Sequence, residues 1–120
     1  MKTEIRVTKN FSKRAKALIK KHPSLVNELE ALERELTDKP QLGTPLGGNS
    51  YKIRLSIKSK GKGKSGGARV ITHVDSEIIG TVEKSEDGKI TVYLLTIYDK
   101  SETESISTKE LKELIKNKNG

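Results

Sequence analysis

Residues Ile90–Tyr98 (ITVYLLTIY) carry large apolar side chains on both alternating faces. A strand of this kind belongs in the interior of a sheet, with neighbours along its edges. The rest of the chain offers those neighbours. Thr3–Val7 (TEIRV) alternates, with Ile5 and Val7 on one face. Tyr51–Ile57 alternates strictly: Tyr51, Ile53, Leu55 and Ile57 point one way, Lys52, Arg54 and Ser56 the other. Ala68–Val74 (ARVITHV) reads as a further strand, and Ile78–Glu83 as a short strand or hairpin arm before the Asp87-Gly88 turn signal.

Helical spacing occupies the gaps. From about Asn10, residues Phe11, Ala15, Leu18 and Ile19 form an apolar stripe among lysines, and Pro23 ends it. Leu25, Leu29, Leu32 and Leu36 form a second stripe against glutamates, with Ser24 placed as its cap. The first helix is basic and the second acidic, and the short link predicts an antiparallel hairpin. Near the C-terminus, Ser107 and Glu110 form a capping box, Ile106 and Leu111 a hydrophobic staple, and a helix runs to about Lys116. Lys39–Ser50 and Lys58–Gly67 read as loops. The order is β-α-α-β-β-(β)-β-α. It predicts one small α+β domain, a mostly antiparallel sheet packed against an N-terminal helical hairpin. The length of 120 residues fits a single core of about 100–150 residues.

Charge is distributed unevenly. The net charge is +8. Residues 1–38 carry 9 basic and 6 acidic side chains, and residues 75–120 carry 7 and 10, so these flanks cancel. Residues 39–74 carry 8 basic side chains and no acid. A concentrated basic block is the footprint of a polyanionic partner, although a solvated lysine-rich loop gives the same count.

Several classes are excluded or disfavoured. There is no Cys, hence no disulfide framework, thiol nucleophile or Cys-based metal site. The first residues, MKTEIR, lack a signal-peptide core, and no stretch approaches the roughly 18 apolar residues of a membrane span, so a cytoplasmic protein without membrane contact is expected. Gly63-Lys64-Ser65 is not a P-loop, because position 58 is Lys and a strand follows rather than a helix. His22 and His73 lie 51 positions apart without carboxylates at ligand spacing, so neither a metal nor another cofactor is expected.

The constellation with chemical content is Lys52, Arg54 and Arg69. The first two share a strand face, and pairing of Tyr51–Ile57 with Ala68–Val74 brings Arg69 beside them. Guanidinium groups on a sheet suit a phosphodiester, binding its non-bridging oxygens and stabilising charge that develops at phosphorus. The alternative is an exposed, solvated sheet face. Such a cluster could cleave RNA without a metal: the 2′-hydroxyl attacks its own phosphate and the 5′ oxygen leaves, with basic or phenolic side chains moving the protons.

Three segments in register, Tyr51–Leu55 (YKIRL), Gly61–Ile71 (GKGKSGGARVI) and Val92–Lys100 (VYLLTIYDK), resemble toxins of the RelE/HigB branch of type II toxin–antitoxin systems, HigB-like members of the RelE/ParE superfamily. The resemblance implies a ribosome-dependent mRNA endonuclease that cuts the codon in the ribosomal A site and is held inactive by a cognate antitoxin. Carried over by position, it implies catalytic roles for Lys52, Arg54, Arg69, Tyr98 and Lys100, with ordinary anchoring of the strand end as the alternative for Tyr98 and Lys100. Beside it, the residues themselves suggest RNA phosphate contacts for Lys58, Lys60, Lys62 and Lys64, whose glycine-rich connection can drape along a backbone; the alternative is a solvated loop. His73, on the face of Arg69, reads first as a packed imidazole and otherwise as an RNA-contacting residue. Two departures stand out. No aromatic residue follows Tyr98, and Ala68 occupies a position that is often aromatic. Proton transfer then falls to Tyr98, Lys100 or His73, or cleavage is weak. ParE-like members, which inhibit a topoisomerase without cleaving RNA, and a weakly active nucleic-acid-binding member of the fold are the alternatives.

Overall fold

A computed structural model of the chain describes residues 2–58, 67–77, 88–103 and 105–119. Eight elements follow in order: β1 (Lys2–Val7), α1 (Lys9–Lys21), α2 (Leu25–Asp38), β2 (Thr44–Gly47), β3 (Ser50–Leu55), β4 (Ala68–Glu77), β5 (Lys89–Asp99) and α3 (Thr108–Lys116). They form a small α+β fold with a five-stranded mixed sheet in the order β1-β5-β4-β3-β2. β5 pairs parallel with β1, and the other pairings are antiparallel. The apolar run that opened the sequence argument thus lies inside the sheet, buried from Thr91 to Asp99.

The two sides of the sheet differ. On the first, Ile53, Leu55, Val70, Val74, Val92, Leu94 and Ile97 pack with Phe11, Ala15 and Leu18 of α1 and Leu25, Leu32 and Leu36 of α2. Full burial of each Leu or Ile contributes on the order of 2 kcal/mol before entropy is counted. Both helices sit closer to the sheet than to one another, α1 over β5 and α2 beside β1. The hairpin expected from the short link is a minor contact, because both apolar stripes face the strands and leave the charges in solvent. On the second side, Ile71, Tyr93, Leu95 and Tyr98 pack under Leu111 of α3, flanked by Ile106, Leu114 and Ile115.

Local chemistry sets the element ends. Thr8 caps α1: its hydroxyl oxygen accepts from the Phe11 N–H at 3.1 Å and shares its proton between the carbonyls of Leu94 (3.1 Å) and Leu95 (3.0 Å). This ties the helix to β5 where β5 carries an extra residue: Ile71 pairs Thr96 and Thr72 pairs Leu94, leaving Leu95 as the bulge. Thr8→Val should cost about 2 kcal/mol, read as a lower melting temperature, since it removes the cap and the hydroxyl's bonds to β5, although the Thr8 N–H still donates to Leu94 O at 3.2 Å. Ser107 caps α3 as expected, accepting from the Glu110 N–H at 3.1 Å.

Two expectations change. Ser24 stands at the start of α2 but in helical backbone (φ −63, ψ −16), without a capping bond. Bonds from Leu25, Val26 and Asn27 N–H to the His22, Pro23 and Ser24 carbonyls take over the first turn, and the Ser24 hydroxyl is buried without a partner among the described residues. Residues 39–50, read as loop, contain β2, which pairs with β3 from Thr44↔Lys52. Its turn back runs through Gly47, Gly48 and Asn49, all at positive φ. The strand expected at Ile78–Glu83, the turn residue Asp87 and most of the Lys58–Gly67 connection, including Lys60, Lys62 and Lys64, lie outside the described residues. Among the described residues no helix is long and apolar enough to cross a membrane.

Candidate functional site

Strand register assembles the site in rows across the second side of the sheet. Arg54 of β3 is opposite Arg69 of β4, and Arg69 is opposite Tyr98 of β5. Directly opposed residues have Cβ atoms about 5 Å apart, so these three form one continuous row. The next row runs Lys52, Ile71, Thr96. The third runs Ser50, His73, Tyr93. Each row begins at β3 with a polar or cationic side chain and ends at β5, whose Tyr93 and Tyr98 pack into the small core under α3.

Exposure is graded along the first row. Arg54 is exposed, whereas Arg69 is 2% exposed and Tyr98 is 5% exposed. Arg69 donates from Nη1 to its neighbour's carbonyl, Ala68 O, at 3.1 Å. Burial, and then the charge of Arg54, pull the Arg69 guanidinium below its ordinary range. Burial pushes the Tyr98 phenol above its ordinary value of 10.0; Arg69 opposes that shift and Glu110 of α3 adds to it. The Tyr98 phenol therefore stays protonated across the physiological range.

Lys100 follows β5 directly, is exposed, and its backbone N–H donates to Gly67 O at 3.0 Å. That bond fixes Lys100 beside the start of β4, at the end of the sheet where Arg69 lies. The Asp99 carboxylate holds the turn by accepting from the Ser101 N–H (2.9 Å) and hydroxyl (2.8 Å). Lys58 is exposed just beyond β3. The structure therefore brings Lys52, Arg54, Arg69 and Tyr98 onto one face and sets Lys100 at its end.

His73 lies on the same face, but both ring nitrogens are engaged within the protein. Nδ1 is 3.1 Å from Ser50 Oγ and Nε2 is 3.0 Å from Asp75 Oδ1. Asp75 is in turn 4.0 Å from Lys118 Nζ, which sits 5.4 Å from the centre of the Tyr93 ring. This chain was not visible in the sequence. Alternation relates His73 to Asp75, yet Ser50 joins them only through the β3–β4 register, and Lys118 only through the packing of α3. Ser50 is fully buried, so the arrangement is a clamp between strands rather than an accessible nucleophile. Among the described residues no group of three His, Asp or Glu side chains is placed to hold a metal ion. No family model matches the chain.

Tyr98 carries a further oddity: its hydroxyl is closed to solvent and has no hydrogen-bond partner among the described residues. Tyr98→Phe should therefore stabilise the fold, by about 1 kcal/mol in thermal or chemical denaturation, where most core substitutions destabilise. The pH dependence has a definite sign. A phenol whose value is raised by folding contributes its full stability below pH 10.0, the ordinary value. That contribution falls as pH climbs past this point, because the unfolded chain releases its proton first. Denaturation midpoints of wild type and Tyr98→Phe measured from pH 8 upward should diverge above about pH 10, with the wild type losing more.

Proposed function

We propose that the chain is a toxin of the RelE/HigB kind that cleaves mRNA on the ribosome and is restrained by a cognate antitoxin. The observation that carries this reading is the row Arg54–Arg69–Tyr98 with Lys52 beside it: two guanidinium groups and a neutral phenol in register on one sheet face. The three segments that resemble such toxins contribute every member of the row.

The chemistry follows from the groups present. A phosphodiester lying along β3 and β4 meets Arg54 through its non-bridging oxygens, and the buried Arg69 guanidinium adds its charge from beneath. The 2′-oxygen bonds to phosphorus and the bond to the 5′ oxygen breaks, leaving a 2′,3′-cyclic phosphate and a 5′-hydroxyl end. A basic side chain of the face accepts the 2′-hydroxyl proton, and the exposed Lys100 at the end of the row returns one to the leaving oxygen. The guanidinium charge is worth most in the transition state, where the phosphoryl oxygens carry more negative charge than in the substrate. Lys58 extends the cationic surface beyond β3 toward ribosomal RNA phosphates, a contribution that weakens steeply with salt.

The test is induction of the chain in a bacterial host with primer extension on abundant transcripts. New 5′ ends within reading frames are the expected result. DNA damage without such ends would point instead to the topoisomerase-directed alternative, and no growth effect to an inactive nucleic-acid binder.

A further inference from the structure

Beside the C-terminal half of β5 an open cleft of about 740 Å³ lies between the start of α1 and the length of α3. Arg54 and Arg69 do not line it. Its residues divide by chemistry. Ile106 and Leu114 supply an apolar wall, and both belong to the small core under α3. Asn10 from α1 and Asn117 from the end of α3 supply amides that both donate and accept. Glu110 and Glu113 supply acceptors, while Lys9, Arg14 and Lys109 supply cations. Tyr98 also lines the cleft. It is 5% exposed, and its buried hydroxyl has no partner among the described residues. A buried hydroxyl without a partner is uncommon in folded proteins and calls for an explanation.

We propose that this cleft binds a nucleotide, with the base against the Ile106–Leu114 wall and the phosphate toward Lys9, Arg14 and Lys109. The volume falls within the range of small-molecule sites, roughly 300–1,000 Å³. A bare phosphate or an acidic peptide would meet Glu110 and Glu113 and leave the apolar wall unused. A lipid chain would leave two amides and two carboxylates unmatched. A basic peptide would meet three cations. A nucleotide carries the same mixture of chemistry as the cleft lining: apolar ring faces, an edge of mixed donors and acceptors, and an anion for the cations. The Tyr98 hydroxyl supplies one hydrogen bond to that edge. Glu110 lies close enough to Tyr98 to shift its titration, and Leu111 packs with it, so the first turn of α3 covers the phenol. A base reaching the hydroxyl enters between Tyr98 and that turn.

The site does not depend on the RNA-cleavage reading, since it shares only Tyr98 with the cationic row. The nucleotide has two possible sources, a residue of an RNA strand or a free mononucleotide, and one titration separates them. Adenosine 5′-monophosphate and ribose 5-phosphate are titrated into the full chain by calorimetry. The expected result is saturable binding of the nucleotide at about 0.1 mM, with the sugar phosphate at least about tenfold weaker. Tyr98→Phe should weaken the nucleotide about tenfold while melting no lower than wild type, and Asn117→Ala should weaken it as well. A tetranucleotide RNA that displaces the mononucleotide with at least about tenfold higher affinity identifies the strand as the source; weaker displacement identifies the free nucleotide. The proposal is overturned if the mononucleotide does not saturate by about 5 mM, if ribose 5-phosphate binds equally well, or if Tyr98→Phe leaves affinity unchanged. Arg54→Ala keeps the two readings apart: its RNA cleavage reports on the cationic row, and its mononucleotide affinity should equal that of wild type. Equal weakening by Arg54→Ala and Tyr98→Phe would place the nucleotide on the row and sink the cleft.

Discussion

Arg54→Ala and Arg69→Gln should each reduce the proposed RNA cleavage by about 100-fold, the usual loss when one preorganised stabiliser of transition-state charge is removed. The two substitutions probe different parts of the same row. Arg54 is exposed at β3, so truncating it removes a cation without opening the core. Arg69 is 2% exposed, so Ala there would leave a void beneath the site. Gln retains much of the length and a donor for the Ala68 carbonyl, and deletes the charge alone. Both variants should melt within a few degrees of wild type, which separates lost chemistry from lost fold. The double variant should be little worse than either single one, because charges acting on the same phosphoryl group are coupled rather than additive. The readout is the yield of new 5′ ends per unit of protein, together with the delay in growth arrest after induction. Wild-type yields from both single variants would remove the row from the chemistry.

How much of this was legible before the structure depends on whether a feature is local. The interior position of Ile90–Tyr98 was legible, because apolar side chains on both faces leave a strand no solvent side. The α3 capping box was legible for the same reason: Ser107 and Glu110 carry the whole interaction within four residues. The Ser24 cap was not, since a serine before a leucine stripe resembles a cap whether or not its backbone is extended. Here the turn after Pro23 holds Ser24 in helical backbone, and the hydroxyl cannot be presented to the turn ahead. β2 escaped because its four residues include Pro45 and Gly47 and are followed by Gly48; only pairing with β3 makes TPLG a strand. The cationic face followed from i, i+2 spacing plus one assumed pairing. Its register, which sets Arg54 against Arg69 and Arg69 against Tyr98, required the strands themselves. So did the bulge at Leu95, without which Thr96 and Tyr98 could not share a face with Tyr93.

Gly67→Ala should be among the most damaging single-methyl additions in the chain. Gly67 immediately precedes β4, and a Cβ built there collides with the carbonyl oxygen of Leu55, backbone that cannot rotate away. Leu55 and Ala68 are paired across β3 and β4 and both are buried in the core. The Gly67 carbonyl also accepts the Lys100 N–H at 3.0 Å. The added methyl must therefore separate β3 from β4, pull Gly67 away from Lys100, or both. Overpacking of this kind costs about 3 kcal/mol, which for a chain of this size lowers the melting temperature by about 10 °C. The separation falls one register step from Arg54↔Arg69, so the surviving folded fraction should also cleave poorly. Gly48→Ala provides the comparison. Its φ of +60 strains any residue with a Cβ, yet nothing lies within 4 Å of the added atom. A left-handed alanine costs about 1 kcal/mol, so Gly48→Ala should melt only a few degrees low and keep its cleavage. Should Gly67→Ala melt no lower than Gly48→Ala, the close approach of β3 to the start of β4 is not what holds the cationic row in register.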